Sequence, residues 1–283
     1  MKGDLRSSTT VSSRILKSIS RAFRLLVALS LGAASSEHAA ESALSQVPRI
    51  GRSQPIPLVN GVAAVATSAA GQAHNAPLLY KEDFSKPEAL SGFTLSDIGA
   101  WRLSDGKETK ALELFKQSGY RAPVRSPYNI ALIADKVFGN FVLEVDLMQT
   151  GREYGHRDMC LFFGFQNPTN FYYAHLATAA DDHAHNVFVV KNSPRTEIAL
   201  KTTRGVDWGL NVWHAVRLER DLDQGTIRVF FDDMSTPVMT ARDKTHGAGY
   251  IGFGSFDDTG KIDDIRIWGP SMEKKETTFF HRP

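Results

Sequence analysis

The 283-residue chain contains a single cysteine. Cys160 has no partner for an internal disulfide, so stability must come from packing or bound metal. Set within "DMCLFFGF", it reads as a buried, inert thiol rather than a nucleophile. Long apolar runs are also missing. The most apolar stretch, "LLVALSLGAA" at 25–34, would span about 15 Å as a helix, against roughly 30 Å for a bilayer core. No transmembrane segment is expected. Helical periodicity is nearly absent; "SKPEALSG" could supply one turn. A strong charge of one sign is lacking as well. The formal net charge is +2, and residues 1–80 carry 8 Lys/Arg against 3 Asp/Glu, which leaves 25 against 28 for residues 81–283. A slightly acidic body without a basic stripe argues against a nucleic-acid partner.

What is present begins with a basic, then apolar, N-terminus. Arg14, Lys17, Arg21 and Arg24 precede the apolar stretch, and Gly32-Ala33-Ala34 offers small residues for cleavage. Residues 1–34 therefore read as an export signal, for a secreted or periplasmic protein. The alternative is an amphipathic extension retained in the cell. Residues 35–77, rich in Ala, Ser, Gln and Pro, read as a disordered linker.

Residues 78–270 break into about ten or eleven short β-type runs separated by Gly, Pro, Asn and Asp. In "NFVLEVDLMQTG", Phe141, Leu143, Val145 and Leu147 fall on one face, and Val142, Glu144, Asp146 and Met148 on the other. Asp105-Gly106 marks a hairpin turn. This pattern predicts an all-β fold, an antiparallel two-sheet jelly-roll sandwich. The polar residues 271–283 read as a flexible tail.

Four of the nine histidines (156, 175, 183 and 185) lie within thirty residues. Period two in "FYYAHLAT" puts Tyr173 and His175 on one face; the same period in "HRDMCLF" aligns His156, Asp158 and Cys160. Paired across a "QNPTN" hairpin, these two strands could line a groove for a carbohydrate ligand, with Asp182, His183 and His185 at its rim. An aromatic ring stacks on a sugar's apolar face while polar groups bond its hydroxyls. In that reading His175 or His156 is the acid/base, and Asp158 orients a histidine. Arg157 and Lys191 steady negative charge, Arg195 lies in the following loop, and Trp208 in "GVDWGL" offers a stacking platform. Arg125 and Tyr128 stand at a strand entrance that could line the same groove. The bland alternative is a solvated hairpin.

Two metal readings compete. His183 and His185 could bind zinc with Asp181, Asp182 or His175 as further ligands. Alternatively, the acidic pairs Asp257-Asp258 and Asp263-Asp264 flank the last turn, where pairing of first and last strands would bring up Glu82 or Asp83. Glu82, Asp83, Asp263 and Asp264 would then hold a structural Ca²⁺. Glu144 and Asp146 suggest a glucanase strand, but Gln149 stands where its third acid belongs. Trp213 and Trp268, flanked by alternating apolar residues, read as core.

"LYKEDFSKP", "FGNFVLEVDLM", "WHAVRLERDLDQGTIRVFFDD" and "GYIGFGSFDDTGKIDDIRIW" together resemble the concanavalin A-like, laminin G-like sandwich family. Within it, they resemble the 3-keto-disaccharide hydrolase domain group of secreted bacterial proteins, over residues 78–268. The resemblance implies either hydrolysis of 3-keto-glycosides or glycan binding without catalysis, or a structural envelope domain, because such folds host all three. No motif of that group matches residue by residue, so no catalytic residue is carried over.

Overall fold

The computed structural model describes residues 76–283. The expected export signal and all but the last two residues of the expected linker lie outside this range. The described residues form an all-β sandwich of two antiparallel sheets. In chain order the strands are β1 (Leu78–Glu82), β2 (Phe93–Leu95), β3 (Trp101–Asp105), β4 (Lys110–Leu114), β5 (Asn129–Phe138) and β6 (Phe141–Gln149). Then follow β7 (Asp158–Asn167), β8 (Asn170–Ala177), β9 (Asn186–Lys191), β10 (Thr196–Glu197), β11 (Ala199–Thr202) and β12 (Trp213–Asp221). The last are β13 (Thr226–Phe231), β14 (Met239–Arg242), β15 (Gly249–Ser255), β16 (Gly260–Trp268) and β17 (Met272–Lys274). The first sheet runs β11-β14-β13-β12-β6-β16-β4-β3, with β1 also on β16; the second runs β10-β9-β8-β7-β15-β5-β17, with β2 also on β5. The strands beyond the ten or eleven expected are mostly edge pieces of two to five residues, too short to register as periodicity.

Strand β6 shows how the sequence builds the first sheet. Its residues alternate buried and half-buried along the whole strand, so Phe141, Leu143, Val145 and Leu147 face the core while Glu144 and Asp146 face outward. Hairpin β3–β4 closes at Gly106, whose amide donates to the Thr109 carbonyl. The second sheet is different: β7 and β8 are buried on both faces. Leu161, Phe163, Tyr172, Ala174 and Leu176 join the inter-sheet core. The alternate residues, Cys160, Phe162, Phe171 and Tyr173, form a second apolar cluster with Ile130, Phe188 and Tyr250. Central strand β15 accommodates its crowded neighbours through glycine: a Cβ at Gly252 would stand 2.5 Å from the Ala131 carbonyl oxygen.

The C-terminal residues help cover that second cluster, in contrast to the tail expected from their polarity. Phe279 and Phe280 pack on Phe165, at centroid separations of 5.5 and 5.9 Å. Tyr250 Oη donates to the carbonyls of Lys275 and Glu276, and Thr277 exchanges two hydrogen bonds with Asp135. His281 pairs with Leu95 as an isolated bridge. Two aromatic side chains outweigh six preceding polar residues because each buries a large apolar area. Among the described residues, no helix is long and apolar enough to cross a membrane.

Candidate functional site

Strands β7 and β8 pair so that Cys160 stands opposite His175 and Phe162 opposite Tyr173. Asp158 opens β7 on the same face, completely buried, as are Cys160 and Tyr173; His175 is 3% exposed. Asp158 Oδ2 lies 3.1 Å from His175 Nε2, outside good hydrogen-bond angles. The same oxygen accepts from Cys160 Sγ at 3.1 Å and from the Phe256 amide at 3.0 Å. Several atoms here have no hydrogen-bond partner: Asp158 Oδ1, Tyr173 Oη, both ring nitrogens of His175 and Arg195 Nη1. Interior polar atoms are ordinarily paired. This concentration in one place marks the spot.

The loop after β15 adds further acids. Asp258 Oδ2 accepts from the Asp158 amide at 3.0 Å and from Tyr154 Oη at 2.7 Å. Burial and the neighbouring Asp158 push the Asp258 carboxyl up to about 7. Two sets of side chains bring ligand atoms within 4.8 Å of one another: Asp158, Cys160 and His175, and Asp158, Asp257 and Asp258. Burial together with Asp158 holds the Cys160 thiol well above its usual range, and burial does the same for the Tyr173 phenol.

Arginines and aromatics lie over this cluster. Arg195 packs its guanidinium on Phe256 at 4.4 Å and on Phe188 at 5.1 Å, and its Nη2 donates to the His183 carbonyl. The Arg125 guanidinium also lies over Phe256, at 5.7 Å, and the Tyr128 ring meets Phe256 edge-on.

The expected groove residues divide among several environments. His156 does not share the Asp158 face, because the chain turns before β7 begins; its exposed ring pairs with Asp181. Asp182 and His183 sit in the exposed turn before β9, and Lys191 at its exposed end. His183 and His185 do not converge: His183 is exposed, while His185 is fully buried and bonds Thr203 Oγ1 at 2.9 Å. The zinc site expected from that pair is therefore not assembled. Burial lowers the His185 ring to about 4. Arg157 points away from the cluster. Its guanidinium bonds the Gln149 side chain and carbonyl and the Gly209 carbonyl.

Trp208 is no platform. It is 1% exposed within the main core, and its Nε1 donates to the Leu176 carbonyl at 3.2 Å. His214, unremarked in the sequence, braces this loop by bonding the Trp208 carbonyl and Asp232. Conversely, Trp213 and Trp268 are only half-buried.

Pairing of β1 with β16 does bring three of the expected Ca²⁺ ligands, Asp83, Asp263 and Asp264, to the lining of one cavity, but their oxygens are already engaged. Asp83 pairs with Lys81 and Asp264 with Arg266. Asp263 accepts the Lys107 amide at 3.0 Å, and Glu82 accepts the Phe84 amide at 2.8 Å. Basic side chains and backbone amides occupy the oxygens that a cation would need. The acids that do converge, Asp257 and Asp258, meet Asp158 from about a hundred residues away in the chain, a proximity that no local signal carries.

No protein-family model matches the sequence, and no curated protein does. Among solved structures, the chain is similar to carbohydrate binding module CBM66 from Bacillus subtilis, at 18% identity and TM-score 0.45, over 63% of this chain and 96% of that one. It is similar to lectin II from Ulex europaeus at 12% identity and TM-score 0.46, over 70% and 99% of the two chains. A Parabacteroides distasonis protein, provisionally named a glycosyl hydrolase, matches at 11% identity and TM-score 0.42, over 66% and 98%. At such distances the fold rests on the strand order and register of the chain itself: an all-β sandwich of two antiparallel sheets.

Proposed function

We propose that the protein is an exported carbohydrate-active sandwich that binds sugar on the surface formed by Arg125, Tyr128, Arg195 and Phe256. The observation that carries this reading is the gathering of two guanidinium groups and an edge-on tyrosine around one half-buried phenylalanine. Planar apolar faces flanked by fixed hydrogen-bond donors suit a pyranose, which presents C–H groups on one face and hydroxyls at its edge. The test is binding of the full chain to a glycan panel by calorimetry, with Phe256→Ala and Arg125→Ala as variants. At least one glycan should bind, and each variant should weaken it about tenfold. Absence of binding across the panel refutes the reading.

A second reading, hydrolysis of 3-keto-glycosides, is favoured by the Asp158–His175 pair directly beneath that surface. A ketone at C3 acidifies the C2 proton; a base removes it, the C1 substituent departs, and water adds. His175 is the base in this scheme, with Asp158 holding the imidazole. Arg195 would have to move aside, since the ring is closed to solvent. Turnover of a 3-keto-disaccharide that survives in His156→Ala but not in His175→Ala supports this reading; no turnover by the parent protein removes it. Export is tested by N-terminal sequencing of the protein from the periplasm or medium, which should begin near residue 35.

A further inference from the structure

We infer that Asp158, Cys160 and His175 form a buried binding site for a borderline transition-metal ion such as Zn²⁺. The three come from two adjacent strands in fixed register, Cys160 opposite His175 and Asp158 two residues before Cys160 on the same face. Cys160 Sγ and His175 Nε2 each lie 3.1 Å from Asp158 Oδ2. Ligand atoms of a tetrahedral zinc site, with bonds of about 2.0–2.3 Å, stand about 3.3–3.8 Å apart. Small side-chain rotations would open the trio to that size.

A buried thiol beside a carboxylate is not by itself a site. The second observation is the group of unpaired atoms around it. Both nitrogens of His175, Asp158 Oδ1 and the fully buried Tyr173 Oη have no hydrogen-bond partner. A bound ion would engage the imidazole and carboxylate directly. It would leave its fourth position to Tyr173 Oη, which lies beside Arg195 as well as Cys160 and Asp158, or to a water.

Donor chemistry selects the ion. One sulfur, one imidazole nitrogen and one carboxylate oxygen suit Zn²⁺ or Co²⁺, whereas Ca²⁺ and Mg²⁺ require six or more oxygens. Binding displaces the thiol proton to solvent. The charges of two anionic ligands and a divalent ion cancel, which a closed interior requires. The site stands whether or not a sugar binds above it. Ligation would take His175 out of proton transfer, so it competes with the hydrolase reading.

The experiment uses the full chain without sugar. Protein equilibrated with Zn²⁺ is dialysed into metal-free buffer and its zinc measured by mass spectrometry; a parallel sample is loaded with Co²⁺ and its absorption recorded. About one zinc per chain should be retained, and the cobalt form should show thiolate-to-cobalt charge transfer in the near ultraviolet with tetrahedral visible bands. Cys160→Ser should abolish the charge-transfer band, and both it and His175→Gln should weaken zinc by about tenfold or more. Asp257→Asn should change neither. Failure to retain zinc, or cobalt bound without a thiolate band, overturns the inference, and both are read on the unsubstituted protein. So does zinc binding lost in Asp257→Asn but kept in Cys160→Ser, which would place the ion among Asp158, Asp257 and Asp258 instead.

Discussion

His185 sets an acid limit on this fold. Its ring is fully buried between the Ala177 amide and Thr203 Oγ1, and burial, with His175 nearby, lowers it to about 4. In the unfolded chain it titrates near 6.5. Between those values the unfolded state binds a proton that the folded state refuses. Stability from this group is therefore complete above pH 6.5, declines as pH falls, and is lost once pH reaches about 4. A shift of that size corresponds to about 3 kcal/mol. The informative substitution is His185→Asn, because residue 185 has φ of 50° and asparagine tolerates that left-handed backbone better than most residues. Urea unfolding of parent and variant, followed by tryptophan fluorescence at pH 7, 6, 5 and 4.5, gives the difference directly. The variant should be less stable at pH 7, through loss of the Thr203 bond, and should close the gap by about 2–3 kcal/mol by pH 4.5. A gap that stays constant across this range would show that the ring titrates normally and refute the argument.

Deleting residues 276–283 removes Phe279 and Phe280 from Phe165 and Tyr250; unfolding free energy should fall by about 3 kcal/mol, with new binding of a hydrophobic dye. Trp208→Phe leaves a cavity where the second indole ring was and loses the bond to the Leu176 carbonyl, so it should cost about 2–3 kcal/mol by urea unfolding and leave any glycan affinity unchanged. Arg157→Ala leaves the Gln149 and Gly209 carbonyls without their buried donor; a loss of about 2–3 kcal/mol is expected in the same assay.

The sandwich was legible because the first sheet has one wet face. In β6 the inward set Phe141, Leu143, Val145 and Leu147 and the outward pair Glu144 and Asp146 print the pleat directly onto the sequence. Strands β7 and β8 are legible as strands but not as a buried layer, since their second face is covered by residues far away in the chain. Polarity of "EKKETT" hid the docking of Phe279 and Phe280. Trp208 misled for a related reason: "GVDWGL" has loop composition, yet the Leu176 carbonyl and His214 draw the ring inward. Period two did put Asp158 with Cys160 and Tyr173 with His175. Their distance from Asp258, Phe256 and Arg195 depends on β15 lying beside β7, and strand order between distant segments has no local signature.

The second cluster poses an energetic question that its aromatic residues alone do not answer. Phe162, Phe171, Tyr173 and Phe188 pack closely enough to seal one face of the second sheet with hydrocarbon. At one end of that seal the chain instead buries Asp158, His175 and the tip of Arg195, with several of their polar atoms unpaired. Each buried polar group left without a partner costs about 1–3 kcal/mol, a sizeable fraction of the roughly 5–15 kcal/mol that stabilises an ordinary domain. Hydrophobic residues at positions 158 and 175 would avoid that cost and preserve the strand pairing. Sequence and packing are thus in conflict at one place in an otherwise consistent sandwich, and such conflicts gather where function rather than stability has set the residues. The conflict would be relieved by a polar occupant between the side chains, and the ion inferred at Asp158, Cys160 and His175 is one that would do so.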